Sequence, residues 1–147
     1  VPQRSVSVTK SVRASAEQIF ALLTDPAKHP LIDGSGTVRA PLTGGPDRLT
    51  LGTAFGMDMK MGLRYRIENV VVEYEENKLI AWRHFNGHRW RWQLDELDET
   101  TTEVTETFDW STARFPLLLD ISRFPKRNKV AMEKSLDRIS DLFTASI

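Results

Sequence analysis

Cysteine is absent from all 147 residues, which removes disulfide scaffolds, thiolate metal sites and cysteine nucleophiles together. Net charge is absent too. Twenty Lys and Arg balance twenty Asp and Glu, so the chain lacks the overall basic excess with which proteins grip nucleic acid or spread on anionic membrane. No apolar run approaches the ~20 residues of a bilayer span, and no charged-then-apolar leader stands ahead of Arg4. No Ser–His–Asp order, phosphate loop or metal-ligand motif is found. These absences predict a cytoplasmic globular protein without metal or cofactor, with no nucleic-acid partner and no stable membrane insertion. What is present is an apolar fraction of 40%, enough for a core, and a length that suits one domain over 1–147.

Val6, Val8 and Val12 share a two-residue period within Arg4–Val12, which predicts a strand. Ser15 stands three residues before Gln18 and ahead of Ile19, Phe20, Leu22 and Leu23, the pattern of a capped helix start. Asp25-Pro26 ends that helix and starts a second short one. Residues 33 to 53 are rich in Gly and Pro, with one short strand predicted near Thr37–Leu42. Phe55, Met57, Met59 and Met61 then alternate onto one face. Further strands are predicted at Leu63–Glu75, Lys78–Phe85, Arg89–Leu97 and Thr102–Trp110. Leu63, Tyr65 and Ile67 have one parity and Val70, Val72 and Tyr74 the other, which predicts a bulge near Glu68-Asn69. Ser111–Pro125 reads as an apolar loop. Beyond Pro125, Met132, Leu136, Ile139 and Phe143 follow a helical period over about 18–20 residues, roughly 27–30 Å.

Strand, two short helices, six strands and a long amphipathic helix make an α+β fold. One apolar sheet face needs cover, and the C-terminal helix is the element long enough to supply it. The expected architecture is a curved seven-stranded antiparallel sheet wrapped around that helix. Val8-Thr9-Lys10-Ser11-Val12 with Ala14 and Ala16, the run Ile19–Pro26, Ala81-Trp82-Arg83 and Thr105–Ser111 resemble the polyketide cyclase/dehydrase type of the START-like (SRPBCC) superfamily. The resemblance spans nearly the whole chain. It implies a single START-like domain with a helix-grip fold and a cavity between sheet and helix, used by relatives for lipids, sterols, polyketides or aromatic molecules. Relatives include carriers and enzymes, so the fold does not choose between them.

Asn86-Gly87 marks a hairpin. A three-residue loop with Gly87 in the left-handed position pairs Trp82 with Trp90 and Ile80 with Trp92, gathering the indoles on one face; burial of large aromatics, each worth roughly 2–3 kcal/mol, favours that register. The inward set then includes Met57, Met59, Met61, Trp82, Trp90, Trp92, Phe108 and Trp110, facing Met132 and Leu136 of the long helix. Such a set is either plain core or the wall of an adaptable cavity, since thioethers fill irregular space. Tyr65, His84 and Leu118 join it as candidate ligand contacts.

Glu106 is the anomaly, because its parity places a carboxylate among Val104, Phe108 and Trp110. It orients a ligand or moves protons, or else it pairs with an Arg or lies at an open rim. His84 and His88 face each other at a hairpin tip, where a solvated pair is expected and no third metal ligand is supplied. His29 lines the entrance or caps a helix end. Arg89 and Arg91 alternate with Trp90 and Trp92, so strand geometry sends them to the opposite face and no basic–aromatic stacking surface forms. The functions expected are binding of a small hydrophobic or aromatic ligand by a monomer or homodimer or, alternatively, a cyclase/dehydratase-like activity with Glu106 as acid/base.

Overall fold

The computed structural model of the chain describes residues 3–34, 38–41, 45–61, 63–84 and 86–144, without the side chains at 39, 41, 58, 61 and 64–66. Strand β1 (Ser5–Val12) leads into α1 (Ala16–Leu23). Ser15 Oγ accepts from Gln18 N at 3.2 Å and Gln18 Oε1 accepts from Ser15 N at 3.0 Å, so both free donors at the helix start are satisfied. Asp25 Oδ1 accepts from Ala27 N and opens a 3-10 turn over Pro26–Lys28, followed directly by α2 (His29–Ile32).

The remaining strands are β2 (Val38–Pro41), β3 (Ala54–Met61), β4 (Leu63–Glu75), β5 (Leu79–His84), β6 (Arg89–Asp98) and β7 (Thr101–Asp109). All seven form one antiparallel sheet in the order β1-β7-β6-β5-β4-β3-β2. β2 to β7 are a meander, and β1 joins at the far edge beside β7. The predicted strand Thr37–Leu42 is β2; Thr37 and Leu42 themselves lie outside the described residues.

The β5–β6 hairpin has the expected three-residue connection. Gly87 sits at φ 96°, its N–H bonds the His84 carbonyl at 2.8 Å, and Trp82 pairs with Trp90 and Ile80 with Trp92. The bulge in β4 lies further along than the sequence suggested. Pairing with β3 runs unbroken through Glu68 and Asn69, and the register shifts between Val71 and Glu73 against β5. The parity of Ile67 continues through Asn69 and Val71, both buried, and Val70 faces out. A polar residue therefore occupies an inward position that hydrophobic patterning had assigned elsewhere.

Helix α4 (Phe124–Thr144) begins just before Pro125, whose missing N–H costs nothing in a first turn. Its 21 residues extend about 31 Å at ~1.5 Å each. It buries Met132, Ser135, Leu136 and Ile139 and packs on β1 and β7. The apolar segment before it is not all loop: Pro116–Ile121 form a short helix, α3, with Pro116 in its first turn.

Candidate ligand cavity

Alternation along the strands decides what faces α4. On β3, Phe55, Met57 and Met59 are buried while Ala54 and Lys60 are exposed. On β6 and β7, Trp92, Leu94, Val104, Glu106 and Phe108 turn inward. The outward partners of the indoles form an ionic cluster instead. Arg89 and Arg91 both reach Glu73, at 2.9 and 2.8 Å, and Arg91 also approaches Asp109 at 3.3 Å. Hydrogen bonding from Arg91 holds the Glu73 carboxyl below its ordinary range. The predicted segregation of Trp from Arg is thus what the sheet shows.

Between the inner face and α4 lies a cavity of about 900 Å³. Met57, Met59, Trp82, Trp90, Trp92, Phe108 and Met132 line it, with His84, Glu106 and Leu118 also on its wall. Trp110 and Leu136 are buried beside it, packed in the core. The side chains of Met61 and Tyr65 lie outside those described. Aromatic packing stiffens the wall: Phe55 meets Trp82 edge-on at 5.6 Å, and Trp90 and Phe108 lie 4.9 Å apart. Exposed Phe115, Leu118 and Phe124, from α3 and the segments flanking it, reach the cavity from its solvent side.

Polar groups share this wall, and several carry buried atoms with no hydrogen-bond partner among the described residues. Glu106 is 5% exposed, and its Oε1 has no hydrogen-bond partner among the described residues; the same holds for Trp92 Nε1 and Asn69 Oδ1. Burial pushes the Glu106 carboxyl well above its ordinary range, and the negative field of Asp33 adds to the shift. Asp33 itself is held by the loop after α2, where its Oδ2 accepts from Val38 N at 3.0 Å and its carbonyl from Arg138 at 2.7 Å. That loop lies directly on α4: Gly34 N donates to Ser135 Oγ at 2.8 Å, and a Cβ on Gly34 would collide with backbone of Ala131 and Ser135. The arrangement buries the Glu106 carboxyl on the cavity wall, and no Arg among the described residues bonds its Oε1.

Of the two readings of His29, the helix cap holds: the carbonyl it bonds belongs to Leu23, the last residue of α1. His29 is buried, donates from Nε2 to the Leu23 carbonyl at 2.9 Å, and stacks on Trp82 at 5.1 Å. Burial lowers its pKa. His84 and His88 are not a solvated pair: they stack at 4.6 Å and both line the cavity. Burial, with the neighbouring His84, takes His88 down to about 4. All three rings are therefore neutral near pH 7. Asn69 was expected at a bulge and instead stands on the cavity wall, and its shared parity with Ile67 and Val71 was the available signal.

Leu119 packs α3 against Phe108, Trp110 and Met132, and Asp120 supplies its polar ties. Asp120 accepts from Arg4 on one side, at 3.0 Å, and from Trp110 Nε1 on the other, at 2.7 Å. Those bonds tie the apolar segment to the start of β1 and the end of β7.

A long C-terminal helix gripped by an antiparallel sheet, with a cavity between them, defines a START-like helix-grip protein. The chain belongs to the polyketide cyclase/dehydrase and lipid transport family, which it matches over residues 3–144. It is 39% identical over 143 residues to the protein Rv0088 of Mycobacterium tuberculosis, covering 94% of this chain and 63% of that one. The chain thus spans less than two thirds of that relative. Among solved structures it superposes on a START superfamily protein from Mycobacterium smegmatis with a TM-score of 0.71 at 15% identity, covering 97% and 99% of the two chains. The Aha1 dimer from Colwellia psychrerythraea gives 0.68 at 17% identity, with 93% of each covered. At those identities the likeness is one of fold. Among the described residues no helix is long and apolar enough to cross a membrane.

Proposed function

We propose that the protein binds a small hydrophobic or aromatic molecule, lipid-like or polyketide-like, between the sheet and α4. The observation that carries this reading is the cavity itself. About 900 Å³ falls at the upper end of the ~300–1,000 Å³ typical of small-molecule sites, and Met, Trp and Phe side chains make up much of the apolar part of its wall. Affinity comes from desolvation of the apolar body, and the polar groups set orientation. The segment carrying α3 acts as the gate, and the chain works as a monomer or homodimer.

Titration with Nile red, an uncharged apolar dye, is expected to show one saturable site per chain. Met59→Trp, which puts a bulkier ring on the cavity wall, should weaken it while the far-ultraviolet spectrum stays unchanged. Native mass spectrometry of freshly purified protein identifies any ligand that co-purifies. Absence of dye binding to the parent protein would refute the proposal.

A second reading is favoured by one feature, the buried carboxyl of Glu106 on the cavity wall, whose pKa burial raises. In a cyclase/dehydratase-like enzyme it would serve as acid/base, with catalysis resting on confinement and proton transfer. Glu106→Gln separates the two: binding retained with turnover lost marks an enzyme, whereas a change in binding alone marks a carrier.

A further inference from the structure

We propose that the polar end of the cavity, where Trp92 Nε1 and Glu106 Oε1 have no hydrogen-bond partner among the described residues, receives an uncharged oxygen of the ligand, a ketone carbonyl or a hydroxyl, and discriminates against carboxylates and ammonium groups. This rests on the binding reading above and adds to it the chemistry of the ligand's polar group. Trp92 and Glu106 are directly opposite residues on β6 and β7, which places their Cβ atoms about 5 Å apart. Both side chains line the cavity, at 4% and 5% exposure. Each carries an unmade hydrogen bond, and buried polar atoms without partners are rare enough to call for an explanation.

The two groups define what can satisfy them. An indole N–H only donates, so its partner must offer a lone pair. An ammonium offers none. Pairing an ammonium with Glu106 would also strip two ions of water and still leave Trp92 unsatisfied. A carboxylate would have a lone pair for Trp92, but it would enter the field of Asp33, which already disfavours charge on Glu106. Among the described residues, the cationic side chains that reach the wall, Arg114, Arg127 and Lys134, are solvent-exposed. A carboxylate would therefore find its counter-charge at the solvent side. A neutral oxygen has no such conflict. A ketone accepts from Trp92, and from Glu106 whenever that carboxyl holds its proton; a hydroxyl accepts from Trp92 while donating to Glu106 Oε1.

The test is calorimetric titration at pH 7 with four naphthalenes that differ in one substituent: 2-acetylnaphthalene, 2-ethylnaphthalene, 2-naphthoate and 2-naphthylmethylammonium. The ketone is expected to bind about tenfold tighter than each of the other three, the worth of hydrogen bonds made only by it. Trp92→Phe, which also reshapes the wall, should shrink the ketone's margin over the ethyl compound when both are measured on the variant. A carboxylate or ammonium binding as tightly as the ketone would overturn the proposal, and so would equal binding of ketone and hydrocarbon. Both of those results would leave the cavity in use by apolar ligands. If none of the four binds, the binding reading fails and this proposal fails with it.

Discussion

Replacing Glu106 with leucine (Glu106→Leu) should make the protein more stable, by an amount that depends on pH in a defined direction. Its Oε1 is buried without a partner among the described residues. An unsatisfied buried polar group costs about 1–3 kcal/mol, and an apolar side chain of similar length removes that cost. For a chain of this size ~1 kcal/mol moves Tm by about 2–4 °C, so the variant should melt about 2–12 °C higher near neutral pH. The pH dependence follows from the raised carboxyl pKa, caused first by burial and then by Asp33. The unfolded carboxyl titrates near its ordinary 4.5, whereas the folded one titrates well above it. Between the two, the folded state holds a proton that the unfolded state has released. Parent stability therefore falls as pH rises through that window, and the part of the penalty due to ionisation vanishes below 4.5. His29, His84 and His88, all lowered by burial, act in the opposite sense, removing stability as pH drops below 6.5. Comparing variant with parent at each pH cancels their contribution. Thermal melts in matched buffers from about pH 5 to 8.5 should show the gap between the two proteins widening toward alkaline pH. A leucine variant less stable than the parent at every pH, by a constant margin, would mean that Glu106 is held charged by a partner and would refute the reasoning.

Asp120→Ala should release α3, because that carboxylate alone bridges Arg4 and Trp110. Hydrogen exchange across residues 116–121 is expected to accelerate about tenfold while β6 and β7 stay protected; unchanged exchange in α3 would show that its apolar contacts suffice. Gly34→Ala places a methyl group against the backbone of Ala131 and Ser135, and overpacking of that kind costs about 1–3 kcal/mol. Urea denaturation should show a lower midpoint with an unchanged slope, and a parent-like midpoint would mean that the loop shifts freely off α4.

Much of the fold was legible in the chain because its signals are local. Two-residue alternation marked the strands, a Ser and a Gln three apart marked the start of α1, and Asn86-Gly87 with its flanking indoles marked both the hairpin and its register. Glu106 stood out for the same reason, as a charge in an apolar phase. Position along a strand tells which face a side chain takes, but it does not tell how far the opposite layer stands off. Trp110 and Leu136 therefore ended in solid packing while Trp92 and Met57 met open space. Asn69 looked like a break in the pattern until the sheet showed the pairing running straight through it, with the bulge between Val71 and Glu73. The stacking of His29 on Trp82, the approach of Asp33 toward Glu106 and the Asp120 bridge all join residues distant in sequence. The chain by itself determined a sheet, a spanning helix and an inward carboxyl, since these follow from neighbours two to four residues apart. Only the tertiary structure decided that sheet and helix enclose a void, and which polar atoms stand unsatisfied around it. Those outcomes depend on the spacing between layers, which no local pattern encodes.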